Sequence, residues 1–311
     1  MLRGSGLFDR SERGKLALAG TGAIEFLNGQ VTNELGGLRA GEGRYAAFLT
    51  HKGHMLGDLR VLGVGERAGA EPRELLLDTE RVALQALFDM IRRFKVGYAV
   101  ELHKRTLELA LVSLIGPRST EVAGAAELPE EEHSNRWLTL GGLRALAVRT
   151  AVGVDLLTAV EQREELEAAL RERGAQTVSE EAVECLRIER GVPRYGIDLD
   201  ESVIPQEAGL NERAVSFTKG CYVGQETVAR LHYRGRPNRH LRGLRLERPG
   251  EPGEELRSGE RVLGRLSSCA VSPALGPIAL ALVRREAEPG TRVAVGVEGN
   301  EAEVLELPFG S

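Results

Sequence analysis

Cysteine is scarce in this 311-residue chain, whose three cysteines are Cys185, Cys221 and Cys269, with no Cys-x-x-Cys pair among them. An odd number of widely spaced cysteines provides neither a disulfide framework nor the ligand spacing of a structural zinc site. The acids of residues 188–212 also lack the short alternation of a calcium-binding loop. The sequence therefore predicts neither a disulfide scaffold nor a bound metal.

Long apolar runs are missing as well. No stretch approaches the roughly 20 apolar residues that cross a bilayer, and the first residues, MLRGSGLFDRSERG, have no apolar core of a secretory signal. The default expectation is a cytoplasmic protein without membrane contact. A formal net charge of −5 argues against a surface that is basic all over, the character of a general nucleic-acid binder. A length of 311 residues suits two or three domains.

Short β-like runs alternate with amphipathic segments through the first part of the chain. Residues 44–50 and 55–64 are two such runs, and Gly53 between them suits the positive φ of a tight hairpin turn. The other predicted strands are 15–20, 74–78, 97–102, 107–116, 143–150 and 152–160. The predicted helices are 22–30, 79–94, one from about Pro117, 161–174 and 179–191. This order indicates an α+β fold with split βαβ units.

The later part of the chain differs in character. Residues 127–136 are acidic and polar and predict an exposed loop. Residues 192–240 are rich in glycine, proline and charge, which in a compact protein is typical of a functional loop or a linker. From residue 241 onward, short β-like runs between Gly and Pro turns predict a small antiparallel barrel or sandwich.

Cys221 is the first candidate for chemistry, in the segment FTKGCYVGQETVARLHYRG at 217–235. The reactive thiolate is favoured beside a cation or a helix N-terminus, and Lys219 and the helix-like residues after Gly220 offer both. No orienting base is obvious in the sequence, since His232 is too far along the helix to face the thiol. Because a free cysteine is also a common buried apolar residue, a working thiol and a packed side chain both remain open.

The basic segment 230–245 is the second candidate, with six arginines, two histidines and a tyrosine. A solvated charged face is the ordinary explanation of such a segment. Arginine interleaved with tyrosine also suits RNA or another anionic partner.

Four motifs together resemble one known family. They are GTGAIEFLNGQVTNEL (20–35), HKGHMLGDLRV (51–61), LRIERGVPRYGIDLDESVIPQEAGL (186–210) and KGCYVGQE (219–226). In order, and over nearly the whole chain, they resemble the YgfZ folate-binding protein family, a relative of the aminomethyltransferase T-protein of the glycine cleavage system. The resemblance implies a T-protein-like ring of three domains. These are an N-terminal α+β folate-binding part at 1–105, a second, ferredoxin-like α+β part at 106–235 that carries KGCYVGQE, and a small antiparallel β-barrel at 236–311.

The resemblance also implies a site and a cofactor, tetrahydrofolate. The signature cysteine, Cys221, would be the working residue, with Lys219 beside it, and Asp155 would match the strand carboxylate that faces the pterin ring. The folate-binding residues implied are Asp155, Arg187, Tyr195, Glu207, Tyr222, Gln225 and Glu226. Two T-protein residues are not retained, because a helix aspartate falls near Gln85 and an arginine falls at Val183.

The implied function is a folate-binding accessory role in the assembly or repair of iron–sulfur enzymes, including tRNA-modifying ones. Its expected partners are folate and iron–sulfur client enzymes. The alternative is a folate-dependent aminomethyltransferase, and a third hypothesis is RNA binding through residues 230–245. The sequence predicts no oligomeric state.

Overall fold

The computed structural model describes residues 4–310, which form two compact units that alternate along the chain. The first unit contains the residues up to Leu49, Leu56–Ser179 and Arg213–Val223. The second contains Thr50–Met55, Glu180–Glu212 and the residues from Gly224 onward. The predicted division into three consecutive domains stays a prediction.

The strands are β1 (Ser5–Asp9), β2 (Gly14–Ala19), β3 (Gly43–Leu49), β4 (Met55–Val64), β5 (Glu74–Thr79), β6 (Glu101–Lys104), β7 (Leu109–Ile115), β8 (Asn135–Leu140), β9 (Leu143–Thr150), β10 (Gly153–Ala159), β11 (Ala175–Thr177), β12 (Arg239–Leu246), β13 (Glu255–Ser258), β14 (Arg261–Ser272), β15 (Gly276–Arg284), β16 (Arg292–Val295) and β17 (Asn300–Leu305). The helices are α1 (Ala23–Asn28), α2 (Leu84–Phe94), α3 (Ser119–Ala123), α4 (Arg163–Glu172), α5 (Glu180–Glu189), α6 (Asn211–Ala214) and α7 (Gln225–Arg234). Short 3₁₀ turns at Arg81–Ala83 and Val160–Gln162 precede α2 and α4.

Two sheets build the first unit. One has six strands in the order β11-β1-β7-β10-β9-β8, and the other has five in the order β3-β4-β5-β2-β6. Leu62 and Leu76 of the five-stranded sheet share a buried apolar cluster with Leu111, Leu146 and Leu157 of the six-stranded sheet. Because successive side chains of a strand point to opposite faces, the apolar alternation of these strands puts one face of each sheet into this common core.

The predicted hairpin of the first half is confirmed. Strands β3 and β4 are neighbours in the sheet, and Gly53 in the turn between them has a φ of +83°. A side chain there would be strained, and its Cβ would lie 2.8 Å from the Cβ of Thr227. The predicted helix 79–94 begins as a 3₁₀ turn and becomes α-helical at Leu84, and the strand expected from 97 begins at Glu101.

The second unit contains the predicted C-terminal barrel. Six strands close in the order β12-β15-β14-β13-β16-β17, all antiparallel, around a core that includes Leu244, Leu256 and Val304. Helix α5 packs against β14 and β15, and its Ile188 joins Ile278 and Leu280 of β15 in a second apolar cluster. The expected α+β class with a small closed barrel is therefore confirmed.

The segment predicted as an exposed loop, 127–136, is only partly exposed. His133, Ser134 and Asn135 are buried, and Asn135 begins a strand that the sequence pattern did not predict. The Asn135 side-chain amide donates to the carbonyl of Glu42 at 2.9 Å. A polar residue can be buried when its hydrogen bonds are provided by distant parts of the chain, and a local pattern does not contain that information.

None of the helices between residues 4 and 310 is long and apolar enough to cross a bilayer.

Candidate functional site

A cluster of charged side chains lies inside the first unit. We call it the buried ion cluster, and its members are Arg10, Arg13, Asp58, Arg60, Asp78, Glu80 and Asp155. Asp58 and Arg60 are two residues apart on β4 and therefore face the same side of the sheet. Arg60 is the register partner of Asp78 on β5, and Asp155 lies on β10. Strand periodicity and cross-strand pairing thus bring these charges together.

Asp78 is at the centre of the cluster and is fully buried. Its Oδ1 accepts from Arg13 Nε at 2.8 Å and its Oδ2 from Arg60 Nε at 2.6 Å. Burial by itself disfavours the charged carboxylate, but the two guanidinium groups hold the pKa of Asp78 well below its usual range. Arg13 also donates to Glu80, and the neighbouring carboxylates outweigh burial and raise the pKa of Arg13. Asp78 is therefore a permanently charged structural centre.

Asp58 is held differently. Tyr45 donates its phenol hydrogen to Oδ2 of Asp58 at 2.7 Å, and no other described residue donates to this carboxylate. Burial raises the pKa of Asp58 to about 6, and the Tyr45 hydrogen bond and Arg13 only partly oppose that rise. Burial and the adjacent Asp58 also raise the pKa of Tyr45. Asp58 is thus a buried acid that gains or loses a proton near neutral pH.

Charge counting explains why Asp58 is the exception. The cluster sets three arginines, Arg10, Arg13 and Arg60, against four carboxylates, Asp58, Asp78, Glu80 and Asp155. The other carboxylates each lie within 4 Å of an arginine, as the ion pairs of Asp78, Glu80 and Asp155 show. Asp58 is left with a neutral phenol as its donor, so its charge is the least compensated of the four.

Asp155 lies at the edge of this cluster with both oxygens occupied. Ser113, its register partner on β7, donates to Oδ1 at 2.6 Å. Arg60 Nη1 donates to Oδ2, also at 2.6 Å. The family resemblance predicts that Asp155 binds the pterin ring of the folate, whereas in the structure its carboxylate binds two residues of the chain.

Lys219 fixes the loop that carries the signature motif. Its buried ammonium donates to the backbone carbonyls of Asn28, Val31 and Asn33 at 2.7, 2.9 and 2.6 Å. An ammonium has three N–H bonds, so all of its donors are used by carbonyls at the end of α1 and just after it. Burial lowers the pKa of Lys219 to about 8. The observed contacts of Lys219 are therefore with these carbonyl oxygens and not with the thiol of Cys221.

Cys221 and Tyr222 follow on the same loop. Cys221 is exposed and forms no disulfide with another described residue. Tyr222 is buried, with the Lys219 ammonium 5.3 Å from its ring centre, and burial raises the pKa of its phenol to about 12. The backbone N–H of Val223 donates to the carbonyl of Gly29 at 3.3 Å. The loop thus presents an exposed thiol from an anchored backbone.

In the second unit, Arg187 is a structural hub of α5. It donates to Glu184 at 2.9 Å, and to Asp198, to Ser268 and to the carbonyl of Val192 at 2.7 Å each. These contacts join the helix to the loop that follows it and to β14. Each of these donors binds an acceptor within the chain. The predicted role of Arg187 in ligand binding is therefore not supported by these contacts.

The other predicted residues of the second unit are dispersed. Tyr195 is buried, with its hydroxyl 3.4 Å from the carbonyl of Met55. Glu207 is buried, accepts from Arg239 at 2.9 and 3.1 Å, and lines an open cleft of about 1340 Å³. Gln225 and Glu226 form the first turn of α7, the former half-buried and the latter exposed. Between residues 4 and 310, no group of three or more His, Cys, Asp or Glu residues could hold a metal ion.

The sequence reasoning missed Asp58 and Tyr45, although a signal was present. The strand MLGDLRVLGV carries an aspartate and an arginine two residues apart within an otherwise apolar run. Two charges on one face of a buried strand indicate an internal ion cluster. The position where an acid was sought, Gln85, is exposed on α2 and donates to Asp89 at 2.8 Å.

Comparisons with known proteins agree over nearly the whole chain. The model of the GCVT N-terminal domain matches residues 1–219, and that of the glycine cleavage T-protein C-terminal barrel domain matches residues 239–309. The aminomethyltransferase of Streptomyces coelicolor is 31% identical over 327 residues, which cover 98% of this chain and 86% of that protein. The aminomethyltransferase of Chlorobaculum parvum is 30% identical over 328 residues, covering 98% of this chain and 87% of that protein.

Among solved structures, the glycine cleavage system aminomethyltransferase T from Bartonella henselae has the same fold, with a TM-score of 0.86. It is 24% identical in sequence, and the superposition covers 99% of this chain and 87% of that one.

Proposed function

The chain belongs to the glycine cleavage T-protein (GCVT) family, and on that basis we propose that it is a tetrahydrofolate-dependent aminomethyltransferase in which Asp58 transfers the proton. Two relatives that are named aminomethyltransferase, at 31 and 30% sequence identity, support the proposal. The single observation that carries it is the Asp58 carboxyl, which is buried in the ion cluster, accepts one hydrogen bond and has a pKa of about 6. The absence of an acid at Gln85 had favoured an accessory role, and Asp58 removes that objection.

The residues of the first unit fit a folate in kind. A reduced pterin is a polar, uncharged ring with N–H donors and a carbonyl acceptor, and it needs buried polar groups that are not fully hydrogen-bonded. Asp58 can accept a further hydrogen bond at Oδ1, because the phenol of Tyr45 is bound to Oδ2. Asp58 and Tyr45 are therefore the residues that we propose to face the folate. When bound, tetrahydrofolate supplies the amine nitrogens that take up the one-carbon unit.

The contribution of the chain is to hold and move a proton. Transfer of a methylene group from an aminomethyl carrier releases ammonia, so the departing nitrogen must gain a proton. Asp58 can donate that proton from Oδ1, because a carboxyl with a pKa of about 6 is partly protonated near neutral pH. Tyr45 fixes the orientation of the carboxyl, and Arg13 stabilises the anion that remains. Catalysis by such a group is worth roughly 10²- to 10⁴-fold in rate.

The test is ammonia release by the purified protein with an aminomethyl-lipoyl carrier and tetrahydrofolate. We expect the wild type to release ammonia and Asp58→Asn to lose roughly 10²- to 10⁴-fold in rate while it stays folded. Asp89→Asn, on the exposed face of α2, is the matched control and is expected to keep full activity. Absence of ammonia from the wild type would reject the aminomethyltransferase proposal. An active Asp58→Asn variant would reject the role of Asp58 alone.

A second candidate is the YgfZ-like role, a tetrahydrofolate-binding factor that supports iron–sulfur enzymes. The observation that favours it is the exposed Cys221 on a loop anchored by Lys219, since the proton transfer proposed for Asp58 gives this thiol no part. A fixed, accessible thiol can contact a cluster or resolve an oxidised partner protein.

This second role is tested by complementation in a strain that lacks the native protein. We expect wild-type protein to restore iron–sulfur enzyme activity and Cys221→Ala to fail. Cys185→Ala, which changes a partly buried cysteine of the second unit, is the control and should complement. Full restoration by Cys221→Ala would remove the thiol from the proposed mechanism.

A further inference from the structure

Asp155 is shielded from a ligand by its burial together with its contacts within the chain. Its side chain is 4% exposed, and each carboxylate oxygen already accepts a short hydrogen bond, from Ser113 and from Arg60. The Arg60 bond is charge-assisted, and such bonds are roughly twice as strong as those between neutral groups.

Arg60 in turn is fixed on both sides. Its Nε donates to Asp78 on the neighbouring strand β5, and its Nη1 donates to Asp155 on β10 of the other sheet. Its Nη2 lies 2.6 Å from Asp78 Oδ2 without hydrogen-bond alignment, so the guanidinium is held between two carboxylates by charge as well as by hydrogen bonds. This single side chain joins the two sheets of the first unit.

The donor that occupies Asp155 has the same form as the ligand edge expected there. Arg60 gives Asp155 one N–H donor of its guanidinium, and the aminopyrimidinone edge of a pterin offers planar N–H donors of the same kind without the charge. For the pterin to bind Asp155, the buried Arg60 cation would have to leave its partner. Breaking a buried ion pair costs more than a neutral hydrogen-bonded pair returns.

We propose that Asp155 is a positioning residue that holds Arg60, and that the folate is bound without contacting it. This inference rests on the proposed tetrahydrofolate function, and it reverses the assignment that the sequence resemblance implies for Asp155. The Arg60–Asp155 pair stays closed whether or not the folate is present.

The first test is a double-mutant cycle in the absence of ligand. Asp155→Asn and Arg60→Gln are compared, singly and together, by urea unfolding. We expect Asp155→Asn to lower the unfolding midpoint clearly in the wild-type background and much less beside Arg60→Gln. Additive effects would overturn the inference, because they would show that the two side chains do not stabilise each other.

The second test is the equilibrium binding of tetrahydrofolate by the folded variants. We expect Asp155→Asn to bind within about 2-fold of the wild type, since no ligand contact is lost. A loss of 10-fold or more, with the fold intact, would overturn the inference, because a carboxylate that takes two N–H donors is worth at least that. Asp58→Asn, measured in parallel, is expected to weaken binding.

A measurement on the wild type avoids any effect of the substitutions on folding. The side-chain Nε–H signal of Arg60, assigned through Arg60→Lys, is followed by nuclear magnetic resonance as tetrahydrofolate is added. A signal that keeps its position and its protection from exchange supports a closed pair, and its loss on saturation overturns the proposal. If the wild type binds no tetrahydrofolate at all, the proposed function fails, while the unfolding cycle still decides whether Asp155 serves Arg60.

Discussion

Each unit contains buried carboxylates surrounded by arginines, but the two sets of carboxylates differ in how fully they are hydrogen-bonded. In the second unit, Asp198 accepts from the Arg187 side chain, the Arg194 backbone and the hydroxyls of Ser267 and Ser268. In the first unit, Asp58 accepts from Tyr45 alone among the described residues. Both are aspartates with almost no exposure, at 4 and 6%.

The difference separates a structural role from a chemical one. A carboxylate with all of its acceptor positions filled is stable as an anion and has nothing left to offer a ligand. A buried carboxylate with one neutral donor is costly to ionise, so it keeps its proton to a higher pH than an exposed one and has an acceptor position open. The count of donors to a buried acid thus distinguishes a carboxylate that is fully bound by the chain from one that can still accept a hydrogen bond.

The largest effect on stability is expected from Asp198→Ala. This change leaves the half-buried Arg187 without its buried counter-ion and two serine hydroxyls without an acceptor, which should lower the free energy of unfolding by about 3–5 kcal/mol. Urea unfolding measures it. The matched control is Asp200→Ala, two residues away and exposed, which should cost less than about 1 kcal/mol. Equal losses at the two positions would contradict the structural role of Asp198.

Asp58→Asn, in contrast, should raise the free energy of unfolding, and the size of this increase should depend on pH. The pKa of Asp58 rises from 3.8 to about 6 on folding, so its ionisation destabilises the folded state above pH 6, by about 3 kcal/mol, and not below about pH 4. The advantage of the asparagine variant over the wild type should therefore grow between pH 4 and 6 and then level off. Urea unfolding across this range measures the difference. A difference that is constant with pH would mean that Asp58 is ionised normally in the folded protein.

Lys219→Met tests whether the signature lysine is a structural residue. The variant leaves three carbonyl oxygens of residues 28–33 without their donor, which should lower the free energy of unfolding by about 2–3 kcal/mol. Lys52→Met, at an exposed position, should change it by less than about 0.5 kcal/mol. Thermal or urea unfolding distinguishes the two. No loss in Lys219→Met would indicate that the ammonium is free to act on Cys221.

The smallest effect on stability is expected from Cys221→Ser, within about 0.5 kcal/mol, because the side chain is exposed. The substitution should, however, change the rate at which the protein reacts with a disulfide reagent. Burial raises the pKa of Cys185, and raises that of Cys269 to about 12, so both should react slowly with a disulfide reagent at pH 8. The serine variant should therefore lose the fast phase of the reaction. A fast phase that survives in Cys221→Ser would assign the accessible thiol elsewhere.

Much of the fold was predictable because local rules specify it. The hairpin around Gly53 follows from a turn that requires positive φ between two apolar runs, and the C-terminal barrel follows from short β-like segments at regular spacing. Strand β8 was missed because its first residues are polar, and the bonds that allow their burial come from residues distant in sequence, such as Glu42.

The site was predictable only in part. The signature loop and Asp155 were identified by motif, but a motif gives the residue and not its contacts. Arg60 and Asp155 are 95 residues apart in the chain, and their pairing depends on how two sheets pack. The acid that we propose for proton transfer, Asp58, lies on β4 and not near Gln85. The sequence did not indicate it, because its raised pKa comes from burial, which is a property of the packed molecule.

The sequence by itself determined the family resemblance, the α+β class, the barrel and the position of the cysteine motif, since these rest on local pattern and composition. The tertiary structure alone decided which charges meet. In the folded chain, Asp78 and Asp155 accept hydrogen bonds from arginines and Asp198 accepts from several donors. Asp58 accepts only from the phenol of Tyr45 among the described residues. The physical reason is that the energy of a buried charge depends on its neighbours and on its distance from water, and both are fixed only when the sheets have packed.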